Sequence, residues 1–345
     1  MLNMRANAPT PSHWRALRIQ CLLLALCFCG TGVHAQTAAP AGTQGNAFPN
    51  RSLRLVVPGL PGGGTDILGR HVASRLQDVL RQPVVVENRS GAGSLVGTEH
   101  VARSPADGYS ILIGGIFNMV MNKALIPRLS YDPLRDFAPI GFLSAYPFVL
   151  LVRADLPINT LADLVQQARN RPGQFSYGSA GLGTLQHVWG NILFKSLGLD
   201  LLHVPFKGAA PAHQEMLAGR LDLLFDNVSA SKQYLQSARM RGLVVSGATR
   251  SADLPQVPTV NETGLTRFEG ESWFGLFVPA ATPPAALARL REALLQVTRE
   301  PAFINRIERD GGRVLEIPAA GQRAFMQQEL DRWTQLIRQH AVAAE

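Results

Sequence analysis

From Leu53 onward the chain alternates short apolar runs with longer stretches whose apolar residues recur every three or four positions. An apolar run closed by Gly or Pro predicts a buried strand, whereas a 3.6-residue recurrence predicts a helix with one covered face. Leu53–Val57 is the first such strand, ended by Pro58 and a glycine-rich turn. Ile67, Leu68, Val72, Leu76, Val79 and Leu80 then mark a helix face. Val84–Val86 and Ser110–Ile113 predict two more strands, and a loop and helix follow around Phe117–Leu125. A long extended segment comes next, Ile140–Leu143 and then Phe148–Val152.

After that segment the alternation restarts. Leu161–Ala168 predicts a helix and Phe175–Tyr177 a strand, and Leu185, Val188, Trp189, Ile192, Leu193 and Leu197 share one helical face. Strands are predicted at Leu201–Phe206, Leu221–Phe225 and Leu243–Val245, with helices at 211–218 and 229–238 between them. A second extended run, Trp273–Val278, precedes a helical region that begins at Pro284. Strands alternating with helices indicate an α/β fold. Two such units joined by two extended crossings predict two lobes, each an α/β sheet, on a two-strand hinge. Lobe 1 is then residues 51–140 plus 275–345, and lobe 2 is residues 141–274. Open α/β sheets bind ligands at the carboxyl ends of their strands, so the expected site is the cleft between the lobes.

The first 35 residues do not fit this pattern. Arg5, Arg15 and Arg18 precede a short apolar stretch from Ile19 to Phe28, and Val33 and Ala35 suit the −3 and −1 positions of a cleavage site. This is the layout of a signal peptide, too short to span a bilayer as a helix, and it predicts export to the periplasm. Residues 36–50 are small and polar at their start and read as a disordered lead-in. Cys21, Cys27 and Cys29 all lie in the signal peptide, so the exported chain has no disulfide, thiolate metal site or cysteine nucleophile. Its loss takes three arginines and no acid, lowering net charge from +8 to +5, with 30 basic against 25 acidic residues. The basic residues are not clustered, which argues against nucleic acid, and no later apolar stretch is long enough to cross a membrane.

Two loops carry the candidate chemistry. Pro61-Gly62-Gly63-Gly64-Thr65-Asp66 links the first strand to the first helix. Without Cβ atoms, the N–H groups of Gly62, Gly63 and Gly64 can approach a ligand closely, and a helix start carries partial positive charge. Thr65 or Asp66 is expected to cap the helix. Together these make an anion site without a cationic side chain, although a tight turn with an ordinary cap has the same sequence. Ser179-Ala180-Gly181-Leu182-Gly183-Thr184 repeats the arrangement in the second unit, with His187 one turn into the following helix. His187 either donates to an anion or packs. Asp226 ends a strand near the expected cleft, where it binds an ammonium, orients water or caps a helix. Lys207 is expected to be exposed or locally paired.

Familiar catalytic and nucleotide patterns are absent. Ile67 and Gln186 occupy the places of the third glycine in the dinucleotide motif, and neither loop has the lysine of a P-loop. Tyr177 stands where a nucleophile elbow around Ser179 requires glycine. No His or Cys pair has metal-ligand spacing, and no cofactor is expected.

Many ordered blocks resemble the receptor component of tripartite tricarboxylate transporters, the Bug receptors. They include Leu55-Val56-Val57-Pro58 with Gly63–Leu68, Gln82–Arg89 with Gly91-Ala92-Gly93, and Pro105–Tyr109. Tyr131-Asp132-Pro133, Tyr177–Gly181 with Gly183, Thr184 and His187, His203–Gly208, Phe225-Asp226-Asn227, Leu254–Val260 and Ser272–Gly275 follow. The similarity runs from about Arg54 to Gln339. It implies a two-lobed periplasmic binding protein that holds ligand carboxylates at the two glycine-rich loops, partly through water, and delivers them to a membrane transporter. One departure stands out. Where the family has a polar stretch after the third strand, this chain has Gly114-Gly115-Ile116-Phe117-Asn118-Met119. Either the apolar side chains face the cleft and favour a more apolar carboxylate, or they enter the core and leave Asn118 as the only pocket group.

The expected function is therefore capture of a small mono- or dicarboxylate by a monomeric, non-enzymatic receptor for a tripartite transporter. The alternatives are a receptor that signals to a membrane sensor and, from another class, a secreted enzyme using Asp66, His187 or Asp226 as acid and base. The enzyme needs two of these groups within hydrogen-bond reach of one substrate atom, which the spacing does not require.

Overall fold

The structure, a computed structural model, describes residues 48–342. The expected signal peptide and residues 36–47 of the expected lead-in lie outside the described residues. Ordered contacts begin at Phe48, earlier than the lead-in boundary at residue 50. The Phe48 ring meets Tyr109 edge-on at 5.0 Å, and Tyr109 Oη donates to Asn50 Oδ1 at 2.8 Å.

The first sheet is built from β1 (Leu53–Val57), α1 (Gly64–Leu80), β2 (Val84–Asn88), α2 (Leu95–Ala102) and β3 (Ser110–Gly115). A π-helical turn at Phe117–Met121 continues into α3 (Asn122–Leu125) and leads to β4 (Phe137–Arg153). The second unit comprises α4 (Leu161–Asn170), β5 (Ser176–Ser179), α5 (Leu185–Ser196), β6 (Leu202–Pro205), α6 (Ala209–Leu217), β7 (Leu223–Asn227), α7 (Val228–Gln236) and β8 (Met240–Val245). The chain then returns through β9 (Glu271–Pro279), α8 (Pro284–Arg299), α9 (Pro301–Arg309), β10 (Arg313–Val314) and α10 (Gln322–Gln339). This is the two-lobed α/β fold that the alternation predicts.

In the first sheet β1 lies parallel between β2 and β3, while β9 runs antiparallel between β3 and β4. The second sheet places β7 and β8 antiparallel on either side of β4 and continues from β7 to β5 and β6. A single strand therefore belongs to both sheets. β4 pairs with β9 up to Pro147 and with β7 from Phe148 onward. Proline cannot donate to a ladder, so Pro147 suits the changeover. The return path is pinned there too, since Phe148 N–H donates to Ser246 Oγ at 2.9 Å and Gly270 N–H to the Ser246 carbonyl at 2.8 Å.

One buried cluster lies between β1, β3, α1 and α8, built on Leu55, Leu76, Ile111 and Leu290. Another, around Val149, Met216, Leu224 and Leu254, underlies one face of the second sheet. The largest joins both halves, from Met119 and Phe137 through Trp273 to Trp189 and Trp333. Trp333 of α10 stacks on Trp189 of α5 with centroids 5.5 Å apart, so the C-terminal helix clasps the second unit. The apolar pattern misses α2, whose eight residues include Gly97 and show no clear face. Gly97 is nonetheless required, because a Cβ there would lie 2.7 Å from the Arg89 carbonyl and 2.9 Å from Pro58 Cα. This close approach brings the start of α2 beside the loop that follows β1.

Candidate functional site

The first loop leaves the end of β1 and enters α1 at Gly63, the N-cap residue, and no side chain caps the helix. The cap expected from Thr65 or Asp66 is not made. Asp66 is buried instead and accepts the Gly62 N–H, Arg70 Nε and Asn88 Nδ2, each at 2.9 Å. Asn88 Nδ2 also reaches the Gly59 carbonyl at 3.2 Å. The carboxylate and β2's last residue thus brace the loop, with Gly62 at φ 78°, a left-handed conformation that favours glycine. Both Asp66 oxygens and the Gly62 N–H are engaged in this brace.

The Arg70 guanidinium, then the Gly62 N–H and Asn88, outweigh burial and hold Asp66 near 2. A folded pKa below the ordinary 3.8 adds stability that is present above about pH 4 and fades as pH falls toward 2. Asp66→Asn is expected to lower the urea midpoint at pH 6, with the gap to the wild type closing as titration approaches pH 2. A gap that stays constant with pH would show that the ionised brace does not contribute.

Bracing leaves the helix start open. The N–H groups of Gly64, Thr65 and Asp66 have no acceptor among the described residues, and the first helical bond is from Ile67 to the Gly63 carbonyl. A Cβ on Gly64 would meet nothing within 4 Å, so this residue borders open space. That space is an interlobe cleft of about 450 Å³, lined by Gly64, Thr65, Ser272 and Phe274 on one side and by Asn227 and Ser229 on the other. A more enclosed pocket of about 230 Å³ shares Thr65, Ser272 and Phe274 with it and continues to Ser94, Phe117 and Asn118. The hydroxyls of Thr65, Ser94, Ser229 and Ser272 donate to no acceptor among the described residues.

Of these, Ser94 and Ser229 escape sequence reasoning. Ser94 sits at φ 70° as the uncapped residue before α2, and the preceding Gly91-Ala92-Gly93 was the available signal. Asn118 lines the pocket, but its side chain is already used. Its Oδ1 accepts the Gly115 N–H at 2.8 Å, and its Nδ2 donates to Thr98 Oγ1 at 2.9 Å. The two readings of the Ile116–Met119 segment therefore divide by residue. Met119 enters the core, Ile116 is buried but also borders the pocket, and Phe117 is half-buried and forms a pocket wall.

In the second loop Ser179, Ala180, Gly181, Gly183 and Thr184 stand at the carboxyl end of β5, as expected, but are largely satisfied within their own lobe. Thr184 is the N-cap of α5, and its hydroxyl donates to the Gly181 carbonyl at 2.7 Å. Gly183 N–H donates to His187 Nδ1 at 3.1 Å, so His187 braces this loop much as Asp66 braces the first. Ser179 is fully buried, with Oγ 2.8 Å from His203 Nε2. The His203 ring stacks on His187 at 4.3 Å; burial, and then the neighbouring imidazole, lower its pKa to about 4 and keep it neutral. The N–H groups of Leu182, Leu185 and Gln186 have no acceptor among the described residues. No residue of this loop lines the cleft or the pocket beside the first loop.

Asp226 is buried behind Asn227. Its Oδ1 accepts the Asn227 N–H at 2.8 Å and Gln186 Nε2 at 3.2 Å, tying the starts of α7 and α5 together. Burial raises its pKa, and His213 Nε2 lies 3.5 Å from the other oxygen. It positions the two helix starts and does not reach the cleft. Lys207 is exposed. Trp273 is buried, and its Nε1 donates to Glu329 Oε2 at 2.9 Å. Among the described residues no cluster of three or more His, Asp or Glu could hold a metal, and no helix is long and apolar enough to cross a membrane. The cleft offers main-chain donors, hydroxyls and partial positive charge, a set suited to holding an anion.

Comparison with known proteins agrees in fold and sequence. The profile of the tripartite tricarboxylate transporter family receptor matches residues 68–342. The UPF0065 protein of the tcbD–tcbE intergenic region of Pseudomonas sp. (strain P51) is 33% identical over 316 residues, covering 91% of this chain and 94% of that protein. Among solved structures, R. palustris Rpa4515 with adipate is 31% identical at a TM-score of 0.75, covering 86% of this chain and 99% of its own. The periplasmic binding protein BugD is 32% identical at a TM-score of 0.72, with the same two coverages.

Proposed function

Because this chain belongs to the tripartite tricarboxylate transporter receptor family of periplasmic solute-binding proteins, we propose that it captures a small mono- or dicarboxylate in its interlobe cleft and passes it to the membrane subunits of such a transporter. The observation that carries this reading is the uncapped start of α1, where Gly64 and Thr65, whose N–H groups have no acceptor among the described residues, border a cleft with unengaged hydroxyls. These donors are open to water in the free protein, and a carboxylate oxygen replaces that water while meeting the positive end of the helix. Adipate in the relative from R. palustris supports the same chemistry here. In this reading Gly64 and Thr65 contact the ligand. Gly62, Gly63 and Asp66 shape the first loop, whereas Ser179–Thr184 with His187 brace the start of α5 within lobe 2 and do not line this cleft. The protein acts as a monomer, reaches the periplasm by a cleaved signal peptide and catalyses no reaction.

Thermal melting against a panel of carboxylates, sugars and neutral amides tests the proposal. A ligand that binds only the folded state adds RT ln(1 + [L]/Kd), about 2.7 kcal/mol at a hundredfold excess over Kd. Upward shifts are expected with some carboxylates and none with the neutral compounds. Shifts confined to sugars or amides would refute the assignment.

A further inference from the structure

The cleft at Gly64 and Thr65 is also lined by Arg306, Arg309 and Asp310, at the C-terminus of α9. The turn after α9 brings these residues against the second unit, since a Cβ on Gly311 would lie 3.1 Å from Ser229 Cβ. The two arginines are not equivalent. Arg306 Nε is held by Asp310 Oδ2 at 2.7 Å. Arg309 has neither a carboxylate nor a carbonyl partner among the described residues, and its side chain is exposed. The lining therefore combines amide donors at the start of α1 with an uncommitted guanidinium. The rest of it is partly apolar, with Ile67 and Phe274.

We propose that Arg309 is a specificity-determining residue that engages a second anionic group of the ligand, so that this cleft prefers dicarboxylates with an apolar spacer over matched monocarboxylates. The inference rests on the carboxylate reading above and adds a residue from outside both glycine-rich loops. A guanidinium binds carboxylate through two parallel N–H donors, a geometry that lysine does not reproduce. A monocarboxylate seated at α1 leaves Arg309 to water, whereas a dicarboxylate gains a charge-assisted pair. The glycine-rich loop of lobe 2 does not line this cleft, and its Ser179, Gly183 N–H and Thr184 hydroxyl are already bonded within that lobe. Arg309 is solvent-accessible, so screening limits the gain to about fivefold at most.

Calorimetric titration with matched probes tests this: pentanoate against glutarate, heptanoate against pimelate, and octanoate against suberate. Each pair is titrated into wild type, Arg309→Gln, Arg309→Lys and Arg171→Gln, the last removing one exposed charge elsewhere. In the wild type at least one dicarboxylate is expected to bind more tightly than its partner. Arg309→Gln should shrink that ratio by up to about fivefold and flatten its salt dependence, Arg309→Lys should retain part of it, and Arg171→Gln should keep it. An unchanged ratio in Arg309→Gln overturns the proposal and leaves the carboxylate reading intact. The same holds if the loss is equal for both members of each pair, or if Arg171→Gln has the same effect. A wild type that binds no carboxylate of any kind overturns the underlying reading and this inference with it.

Discussion

Gly64→Asp is expected to lower carboxylate affinity at least a hundredfold while leaving the protein as stable as the wild type or slightly more so. Gly64 is the first helical residue of α1, and a Cβ there meets nothing within 4 Å, so the new side chain fits without strain. A carboxylate at a helix start is itself favourable by roughly 0.3–1 kcal/mol. It occupies the donors on which the proposed ligand depends and repels a second negative charge. Two unit charges about 4 Å apart at an effective dielectric near 20 interact by about 4 kcal/mol, or roughly a thousandfold in Kd. Screening by water at the open side reduces this to the stated bound. Titration calorimetry gives the affinity, and melting in the absence of ligand gives the stability. Retained affinity would remove the start of α1 from the site, and a large loss of stability would show that the cleft at Gly64 is not open space. The opposite signs separate a blocked site from a damaged fold.

Trp333→Ala is expected to cost about 4 kcal/mol, the usual range for truncating a fully buried tryptophan. The ring has no exposed surface, stacks on Trp189, meets Phe268 edge-on at 6.2 Å and donates to Glu329 Oε2 at 3.3 Å. Its removal leaves a cavity where α10 grips the second unit. For a chain of this size the loss corresponds to a fall in Tm of roughly 8 °C. Differential scanning calorimetry reads the change directly. A fall of less than about 2 °C would mean that α10 does not hold the second unit in place and that the stacked tryptophans are incidental.

Much of the architecture was legible in the residues. Apolar runs and helical recurrences report burial on one or both faces of an element, and burial is what a repeating fold imposes on local sequence. Both glycine-rich loops therefore fall at the carboxyl ends of β1 and β5, where the alternation places them. The elements that were missed carry weak periodicity. α2 is short and contains Gly97, and β10 has two residues.

The functional assignment of individual polar groups was not legible, because a side chain's availability depends on which partners reach it from distant parts of the chain. Asp66 and His187 look alike as candidate ligand groups, yet each turns back to bond a glycine N–H of its own loop. Asn118 is spent on Gly115 and Thr98, and Asp226 on Gln186 and Asn227. Conversely, Ser229 and Arg309 reach the cleft only because the α9–β10 turn folds back against α7, a contact between residues about 80 positions apart that no local pattern encodes. The sequence by itself determined the α/β alternation, the family and the placement of two glycine-rich turns, since these follow from periodicity and from residues whose backbone preferences are intrinsic. Only the tertiary structure decided which donors are left for a ligand, because a hydrogen bond made inside the protein withdraws that group from anything outside it.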